Sequence, residues 1–301
     1  MTAWDRSNGR IILRPTLRSS RDSAGTSARP EVRTSTRHAA VGARRELSVV
    51  APAYNEERRL PALLDRAVSA DSWVAPAALS FRELIVVDDG SEDETVALLR
   101  RTAGLEGRLQ ILELGSHRGK GAAVRAGLKA ASGDLVLLTD VDMSSPLDET
   151  PKLVAVLDDG FDLVIGSRAI PGAELAARQH PLRELLGKTF NGLLRSLTGL
   201  PFRDTQCGFK LLRADVARRV AEHQRIDGYL YDAELCLIAL QLGFRVAEVP
   251  VRWSHNPDSR VRVLRSAPGV VLDLLKLRRL ARRPLERPPE RTPAPSVGAR
   301  R

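Results

Sequence analysis

The amino-acid sequence predicts an α/β fold, a doubly wound and mostly parallel β-sheet flanked by helices. Three observations support this prediction. At 301 residues the chain is long enough to bury a full α/β core. Short apolar runs with few charges alternate with segments of helical spacing, as expected for parallel strands covered on both faces and joined by right-handed crossovers. Polar motifs follow several of the runs, which is where such sheets bind their ligands.

The first half of the chain contains the regular part of this pattern. Its predicted strands are Leu47–Ala51, Leu84–Val87, Leu109–Leu114, Leu135–Leu138 and Leu163–Ile165. The predicted helices between them lie near residues 56–70, 92–103, 120–131 and 147–158. The second half is less regular, with predicted helices near residues 183–198, 213–223 and 231–242 and one further strand, Arg245–Arg252.

A last segment, Val270–Leu280, combines apolar residues at helical spacing with lysine and arginine. Such a helix can lie in a membrane interface with its apolar face in the lipid. It can equally be the last helix of the domain, packed on the core. The sequence favours neither interpretation.

The formal net charge of +10 is concentrated at the two ends of the chain. Residues 1–45 contain ten arginines and three acids, and residues 276–301 contain nine basic residues and two acids, so the part between them has a net charge of −4. The composition of the ends, rich in Ser, Thr and Arg or in Pro and Arg, predicts disorder at residues 1–45 and 282–301. A single domain is expected at residues 46–281.

Basic ends are typical of proteins that bind nucleic acid or an anionic membrane surface. The sequence has no aromatic platform, Cys/His cluster or basic recognition helix, which argues against nucleic acid. We therefore expect peripheral contact with an anionic membrane, the alternative being a solvated tail without a partner. No apolar run approaches the ~18 residues that span a bilayer, and residues 1–45 contain no signal-peptide stretch. Cys207 and Cys236 form no CxxC pair. The expected location is the cytoplasm, at the inner face of the membrane.

Two motifs follow the first two predicted strands. The first, Pro-Ala-Tyr-Asn-Glu at residues 52–56, places polar groups at the carboxyl edge of the sheet, although a helix N-cap alone explains Asn55. The second begins with Asp88 and Asp89. A capping box of the form S-x-x-E explains Ser91, but it does not explain two adjacent carboxylates, whose repulsion calls for a cation or a hydrogen-bond donor. A ribose hydroxyl or a base N–H would be such a donor.

Two further motifs follow later in the chain. Residues 117–121, His-Arg-Gly-Lys-Gly, place two glycines around Lys120 at a predicted helix N-terminus, where a phosphate can approach closely. The P-loop spacing is absent, and His117 is interpreted as a loop residue. Asp140 and Asp142 follow the fourth strand. Carboxylates spaced in this way can bind one hard cation, Mg²⁺ or Mn²⁺, which can bridge a diphosphate. The alternative is a solvated loop.

These motifs, in this order and spacing, resemble glycosyltransferase family 2, whose members have the GT-A fold. Two further segments, Gly-Ser-Arg at residues 166–168 and Arg-Asp-Thr-Gln-Cys-Gly-Phe-Lys at 203–210, narrow the resemblance. They are similar to the dolichyl-phosphate β-glucosyltransferases and their polyprenol-phosphate relatives. The resemblance covers about residues 47–280. It implies a metal-dependent, inverting transfer of a hexose from a nucleotide diphosphate-sugar, above all UDP-glucose, to a polyprenyl phosphate.

The resemblance also implies roles for residues on the donor side. Together with Lys120, those expected to bind the nucleotide-sugar are Pro52, Tyr54, Glu56, Asp88 and Asp89. Asp140 and Asp142 match the metal-binding and catalytic pair. Ser144 stands where some relatives have a glutamine as a further metal ligand, so the sequence leaves a third protein ligand open.

On the acceptor side, Arg168 and Arg183 match arginines that hold the lipid phosphate in the mannosyl relatives. Asp204 matches a position where other members of the superfamily have a general base, and it is counted with the catalytic residues. A phosphate acceptor is already ionised near neutral pH, so we expect Asp204 to organise the acceptor site instead of removing a proton.

Three alternatives stay open. The donor can be GDP-mannose, as in the mannosyl relatives, or the acceptor can be a soluble sugar or metabolite. The chain can also be a nucleotide-binding module without turnover, which the intact pair of Asp140 and Asp142 argues against. Many polyprenol-phosphate transferases carry transmembrane helices after the catalytic domain, and the sequence predicts none here.

Overall fold

The computed structural model describes residues 2–5, 10–13, 44–175, 181–254, 267–283 and 285. Its strands in chain order are β1 (Thr2–Asp5), β2 (Arg10–Leu13), β3 (Arg45–Ala53), β4 (Leu79–Asp88), β5 (Leu109–Glu113), β6 (Leu135–Leu138), β7 (Leu163–Ser167), β8 (Glu174–Leu175), β9 (Lys210–Arg213), β10 (Val246–Pro250) and β11 (Arg252–Trp253). Its α-helices are α1 (Leu60–Val68), α2 (Asp71–Val74), α3 (Thr95–Arg101), α4 (Lys120–Ala130), α5 (Thr150–Asp158), α6 (Pro181–Thr198), α7 (Ala214–His223), α8 (Tyr231–Gln241) and α9 (Ala267–Arg282).

Within these residues, nine strands form one sheet in the order β1-β2-β10-β7-β9-β6-β3-β4-β5. Strands β6, β3, β4 and β5 are parallel neighbours, whereas β9 runs antiparallel to both β6 and β7. The chain moves outward from β3 to β4 and β5 and then returns to the other side of β3 with β6. This reversal opens a crevice at the carboxyl ends of β3 and β6, the place where open α/β sheets bind ligands.

Both faces of the central sheet are covered. In β4, Leu84 and Val86 belong to one apolar cluster, and Ile85 and Val87 belong to the other. Helices α1, α2, α3 and α5 pack on the first face, and α4, α6, α7, α8 and α9 pack on the second. Two-sided burial explains why the strands are continuous apolar runs without polar alternation. The predicted α/β, doubly wound and mostly parallel fold is confirmed.

Strand β9 was missed by the sequence analysis, although all six strands that it predicted are present. The segment Lys-Leu-Leu-Arg has a basic residue at each end, which is atypical of a central strand. Lys210 is fully buried there because its ammonium group pairs with the carboxylate of Asp232 on α8. A partner so distant in sequence cannot be recognised from local pattern.

The segment before residue 46 also differs from the expectation of disorder, in the part that the structure describes. Strands β1 and β2 form an antiparallel hairpin, and β2 pairs antiparallel with β10, Ile12 opposite Ala247. The run Ile-Ile-Leu at residues 11–13 is typical of a strand, and β10 would otherwise leave an open sheet edge. Residues 14–43 and 286–301, which belong to the predicted basic ends, lie outside the described residues.

Helix α9 corresponds to the segment for which two interpretations were open. Its Leu277 is fully buried, and Val270, Leu274 and Leu280 pack against the second core cluster. The helix is therefore packed on the domain through one face. No helix within the described ranges is long and apolar enough to cross a membrane.

Candidate active site

The predicted site residues meet at the carboxyl edge of the sheet. Loops that leave β3, β4 and β6 are joined there by side-chain contacts with the N-terminus of α4. The ring of Tyr54 contacts that of His117, and Lys120 pairs with Asp140. Arg59 lies 3.7 Å from Asp142. The crevice beside β3 and β6 is therefore lined by most of the residues that the sequence singled out.

Asp88 and Asp89 are both buried, and the protein itself supplies their hydrogen-bond donors. Asp88 Oδ2 accepts bonds from the backbone N–H groups of Gly90 at 3.1 Å and Ser91 at 3.0 Å. Asp89 accepts bonds from the N–H groups of Arg118 and Gly119, both at 2.8 Å. The hydrogen-bond donors that the pair was expected to require are therefore backbone N–H groups of the protein, and a role of Asp88 and Asp89 in binding the nucleotide stays a prediction.

An aromatic platform lies beside Asp89. Tyr54 is 37% exposed, and its ring stacks on that of His117 with centroids 4.0 Å apart. His117 Nδ1 lies 2.8 Å from Asp89 Oδ2, which fixes the imidazole. His117 is a loop residue, as predicted, but its stacking partner was not foreseen. The platform offers a flat, partly exposed π-surface at the mouth of the crevice.

The two helix-capping interpretations were wrong. Helix α1 begins at Leu60 and not at Asn55, whose backbone is left-handed with φ of 55°. Ser91 Oγ accepts a bond from the Asn55 N–H at 2.9 Å, and Asn55 Oδ1 accepts one from the N–H of Glu92 at 2.8 Å. These side chains therefore tie the loops after β3 and β4 to each other, and neither caps a helix.

The glycines around Lys120 have a structural role that differs from the predicted one. A Cβ on Gly119 would lie 2.4 Å from the carbonyl oxygen of Asp227, and one on Gly121 would lie 2.3 Å from that of Ile226. The N–H of Gly121 also donates to the Asp227 carbonyl at 2.7 Å. These glycines permit the close approach of the protein's own loop at residues 226–228. Because that loop fills the space beside the two glycines, the space is not a phosphate cradle.

Lys120 and Asp140 form the central ion pair of the site. Lys120 Nζ, from the first residue of α4, lies 2.5 Å from Asp140 Oδ1 at the end of β6. Burial alone would raise the pKa of Asp140, but the Lys120 charge and hydrogen bond hold that pKa below its ordinary value. Burial likewise opposes the charge of Lys120, but Asp140 raises the pKa of the ammonium group well above its usual range. Both groups are charged at neutral pH.

Asp142 has a different environment from Asp140. Its Oδ1 accepts a bond from the backbone N–H of Ser144 at 2.9 Å, and its Oδ2 faces Arg59. Arg59 is held in place by Glu56, which accepts bonds at 2.5 Å from its Nε and Nη2. Glu56, predicted to contact the nucleotide, therefore also positions a cation beside Asp142. Arg59 was missed by the sequence analysis.

Gly208 packs directly on the carboxylate of Asp140. A Cβ at residue 208 would lie 2.5 Å from Asp140 Oδ2. The glycine of the Asp-Thr-Gln-Cys-Gly-Phe-Lys segment is thus required by a close approach between its backbone and a predicted metal ligand. The same segment ends in Lys210, whose ammonium group donates to the Cys207 carbonyl at 2.5 Å and pairs with Asp232.

Arg168 and Asp204 form a bidentate pair at the end of β7. Arg168 Nε and Nη2 donate to the two carboxylate oxygens at 2.7 and 2.9 Å, and the Arg168 N–H donates to Oδ2 at 3.0 Å. The N–H of Gln206 donates to Oδ1 at 3.2 Å. Burial would raise the pKa of Asp204, but Arg168 holds it below its ordinary value. Asp204 is a carboxylate at neutral pH with all four lone-pair sites engaged.

Two residues that the sequence did not single out orient this pair. Glu248 on β10 is fully buried and accepts bonds from the N–H groups of Arg203 at 3.0 Å and Asp204 at 2.8 Å. The ring of Trp253 on β11 lies under the guanidinium group of Arg168, with Arg168 Cζ 5.4 Å from the ring centroid. Arg183 lies in the first turn of α6, and its side chain is outside the described residues.

The donor set at Asp140 and Asp142 fits a hard divalent cation. Asp140 Oδ1 bonds Lys120 and Asp142 Oδ1 accepts a backbone bond, so the Oδ2 atoms are the less engaged oxygens, with Arg59 3.7 Å from that of Asp142. In the described part of the chain no cluster of three or more His, Cys, Asp or Glu side chains is arranged to hold an ion. Two carboxylates completed by substrate phosphates and water are a usual environment for Mg²⁺.

The fold and this edge of the sheet define the protein as a glycosyltransferase of the GT-A type. The sequence model of "Glycosyl transferase family 2" matches residues 48–221, more than half of the chain. The chain belongs to that family, as the resemblance of its motifs implied.

Several relatives are named dolichyl-phosphate β-glucosyltransferase. One from Trichomonas vaginalis is 37% identical over 221 residues, which cover 71% of this chain and 65% of the relative. The human protein of that name is 34% identical over 226 residues, covering 72% of this chain and 70% of its own. The protein from Dictyostelium discoideum is 31% identical over 242 residues, covering 77% and 73%. The match therefore spans about two thirds of the length of these relatives.

Solved structures of similar fold include glucosyl-3-phosphoglycerate synthase from Mycobacterium tuberculosis in complex with phosphoglyceric acid. Its TM-score is 0.57 at 23% identity, with 77% of this chain and 80% of that chain covered. Mannosyl-3-phosphoglycerate synthase from Rubrobacter xylanophilus has a TM-score of 0.51 at 20% identity, covering 79% and 76%. At this identity the likeness concerns the fold alone.

Proposed function

We propose that the chain transfers glucose from UDP-glucose to the phosphate of a dolichyl-type polyprenyl phosphate, with inversion at the anomeric carbon. The observation that carries the proposal is the saturated carboxylate of Asp204, which accepts four hydrogen bonds. A base of this kind has no lone pair left to take a proton from a hydroxyl nucleophile. A phosphate monoester needs no base, because its oxygens are already ionised near pH 7. The names of the relatives at 31–37% identity support the same acceptor and sugar.

The proposed reaction moves no proton between substrate and protein. An oxygen of the acceptor phosphate attacks the anomeric carbon of glucose, and the bond from that carbon to the diphosphate oxygen breaks. The products are a β-linked glucosyl phosphate lipid and UDP. Negative charge accumulates on the departing diphosphate, so rate acceleration depends on cations held beside it. Lys120 and Arg59, which face Asp140 and Asp142, would be the protein cations at that position.

Asp140 and Asp142 would hold Mg²⁺ or Mn²⁺ through their Oδ2 atoms, and Arg59, 3.7 Å from that of Asp142, would move aside. When bound, such an ion neutralises charge on the leaving diphosphate. Lys120 neutralises Asp140 in the structure, and in the complex with the donor its ammonium group would be drawn to the phosphates. Gly208 would keep the Asp140 carboxylate in one orientation throughout.

For the donor nucleotide we propose the side of the crevice that the loops after β3 and β4 form. The uracil ring would lie on the platform of Tyr54 and His117, which has an exposed face. Pro52, Asp88 and Asp89 would shape the floor of this pocket. Asp88 Oδ1 has one distant contact, to the Ser91 N–H at 3.4 Å, and can still accept a bond from the ligand.

The acceptor phosphate would bind beside Arg168. Arg168 Nε and Nη2 donate to Asp204, so this arginine makes its bidentate hydrogen bonds within the protein and not to the acceptor phosphate. Nη1 would face the acceptor and make one charge-assisted bond. Arg183, on the first turn of α6, would supply a second cation. The basic chain ends would add peripheral attraction to an anionic membrane on the cytoplasmic side.

The test is an assay of the purified full chain with several nucleotide sugars and polyprenyl phosphates, in detergent, with the lipid product identified by mass. We expect glucosyl phosphate lipid from UDP-glucose, no product with excess EDTA, and recovery with Mg²⁺ or Mn²⁺. Faster transfer from GDP-mannose would refute the donor, and transfer only to soluble acceptors would refute the acceptor. Full turnover in EDTA would refute the metal.

A further inference from the structure

Helix α9 has an exposed apolar surface on the face opposite its core contacts. Among the described residues, three of the eight exposed large apolar side chains lie on this helix. They are Val271, Leu272 and Leu275, with exposed fractions of 57%, 60% and 46%. They occupy the first half of the helix, and solvent-exposed leucines grouped in this way indicate an interaction site more often than isolated ones do.

The same face of α9 becomes strongly basic in its second half. Four arginines are exposed there, namely Arg278, Arg279 and Arg282 on the helix and Arg283 directly after it. Helical spacing places Val271, Leu275, Arg278 and Arg282 in one stripe. The single acidic residue of the helix, Asp273, is buried and bonds Lys276 at 2.9 Å, so it does not neutralise the arginines of this face.

A short loop connects this helix to the catalytic edge. A Cβ on Gly228 would lie 2.7 Å from Asp273 Oδ2, so the loop packs against the first half of α9. The preceding residue, Asp227, accepts the N–H bond of Gly121 next to Lys120. Tyr229, the following residue, is 44% exposed. The apolar half of α9 is thus separated from Lys120 by a single loop that itself presents an aromatic ring.

We propose that the outer face of α9 docks on the surface of an anionic phospholipid bilayer. Val271, Leu272 and Leu275 would enter the headgroup and acyl boundary, and the arginines would contact lipid phosphates. The proposal rests on the proposed function in one respect, that a polyprenyl phosphate held in this bilayer would be presented to the nearby catalytic edge.

Charge argues for lipid over the other possible occupants. A second copy of the chain, placed symmetrically on this face, would bring arginine clusters towards each other. A nucleic acid would satisfy the arginines but would leave the three apolar side chains without a complementary surface. An anionic bilayer complements both halves of the helix at once.

The experiment measures co-sedimentation of the full chain with vesicles of neutral phosphatidylcholine, with or without phosphatidylserine. Leu272→Ser/Leu275→Ser and Arg279→Gln/Arg282→Gln/Arg283→Gln are each expected to weaken binding to the anionic vesicles by ~10-fold or more. Val68→Ser on α1 and Arg218→Gln/Arg219→Gln on α7 are matched controls, because these residues are exposed on other helices. Both controls should bind as the wild type does.

A label reports the contact directly. An environment-sensitive fluorophore attached through Leu275→Cys should shift to shorter wavelength on anionic vesicles and stay unchanged with duplex DNA. The two native cysteines are buried, which favours selective labelling. Wild-type binding by both surface variants, an unshifted label on bound protein, or an equal shift with DNA would each overturn the proposal.

The failure of this proposal can be distinguished from the failure of the proposed function. Transfer to a short, water-soluble polyprenyl phosphate requires no bilayer, so the surface variants should retain it at the wild-type rate. Loss of vesicle binding with that rate intact supports docking through α9. Wild-type protein that binds vesicles through α9 but glucosylates no polyprenyl phosphate would refute the proposed function and leave the docking surface standing.

Discussion

Replacing Lys120 by methionine tests whether this lysine competes with a cation for Asp140. The ammonium group lies 2.5 Å from Asp140 Oδ1, so a metal that binds Asp140 meets a cation already in contact with it. A hydrogen bond between charged groups contributes ~1.5–3 kcal/mol. The Lys120 and Asp140 side chains are 27% and 34% exposed, so solvent screens the pair and the lower end applies. That end corresponds to a factor of ~10 in affinity.

We therefore expect Lys120→Met to bind Mn²⁺ ~10-fold more tightly than the wild type in the absence of donor, while it loses most of its turnover. Titration of Mn²⁺ followed by the electron paramagnetic resonance signal of the free ion measures this affinity. Lys129→Met is the matched control, because Lys129 is an exposed residue of the same helix α4. Unchanged or weaker Mn²⁺ binding by Lys120→Met would refute the competition and leave Lys120 a purely structural partner of Asp140.

Three further predictions concern the groups around this pair. Gly208→Ala should abolish most activity, because the added Cβ would lie 2.5 Å from Asp140 Oδ2, as a transferase assay will show. Asp204→Asn should lower kcat without moving the pH–rate profile, because the pKa of Asp204 is already held low by Arg168. The fall in rate on acidification should instead follow protonation of the acceptor phosphate, near pH ~6. Lys210→Met should destabilise the fold in urea by ~3–5 kcal/mol, because Asp232 would keep a buried charge without its partner.

Each of these predictions has a control and a contradicting result. Gly192→Ala adds a Cβ with no atom within 4 Å and should be silent, whereas an active Gly208→Ala enzyme would show that Asp140 can move freely. If Asp204→Asn shifts the acidic limb of the pH–rate profile, the group that titrates in the wild type is the Asp204 carboxylate and not the acceptor phosphate. Adding Asp232→Asn to Lys210→Met should restore most of the lost stability, and no recovery would mean that the lysine acts through packing and not through charge.

The sequence predicted the sheet and the location of the site because both depend on local pattern. Strands covered on two faces are unbroken apolar runs, and the polar motifs that follow them have to meet at the carboxyl edge. Contacts between segments that are distant in the sequence could not be predicted. Arg59 approaches Asp142 only because the loops after β3 and β6 are neighbours, and Trp253 reaches Arg168 through a two-residue strand.

Four carboxylates in and around the site are paired with cations before any substrate binds. The pairs are Asp140 with Lys120, Asp142 with Arg59, Asp204 with Arg168, and Asp232 with Lys210. The diphosphate of a nucleotide-sugar is a dianion, so if it entered alone it would have to draw cations away from these carboxylates. The complex of this diphosphate with one divalent cation is neutral, so it can bind without drawing a cation away from any of these carboxylates. Donor and metal should therefore bind cooperatively, each raising the affinity for the other by the same factor. Calorimetric titration of UDP-glucose with and without Mg²⁺, and of Mg²⁺ with and without UDP-glucose, measures both factors. Equal UDP-glucose affinity in the two titrations would contradict this account of the site.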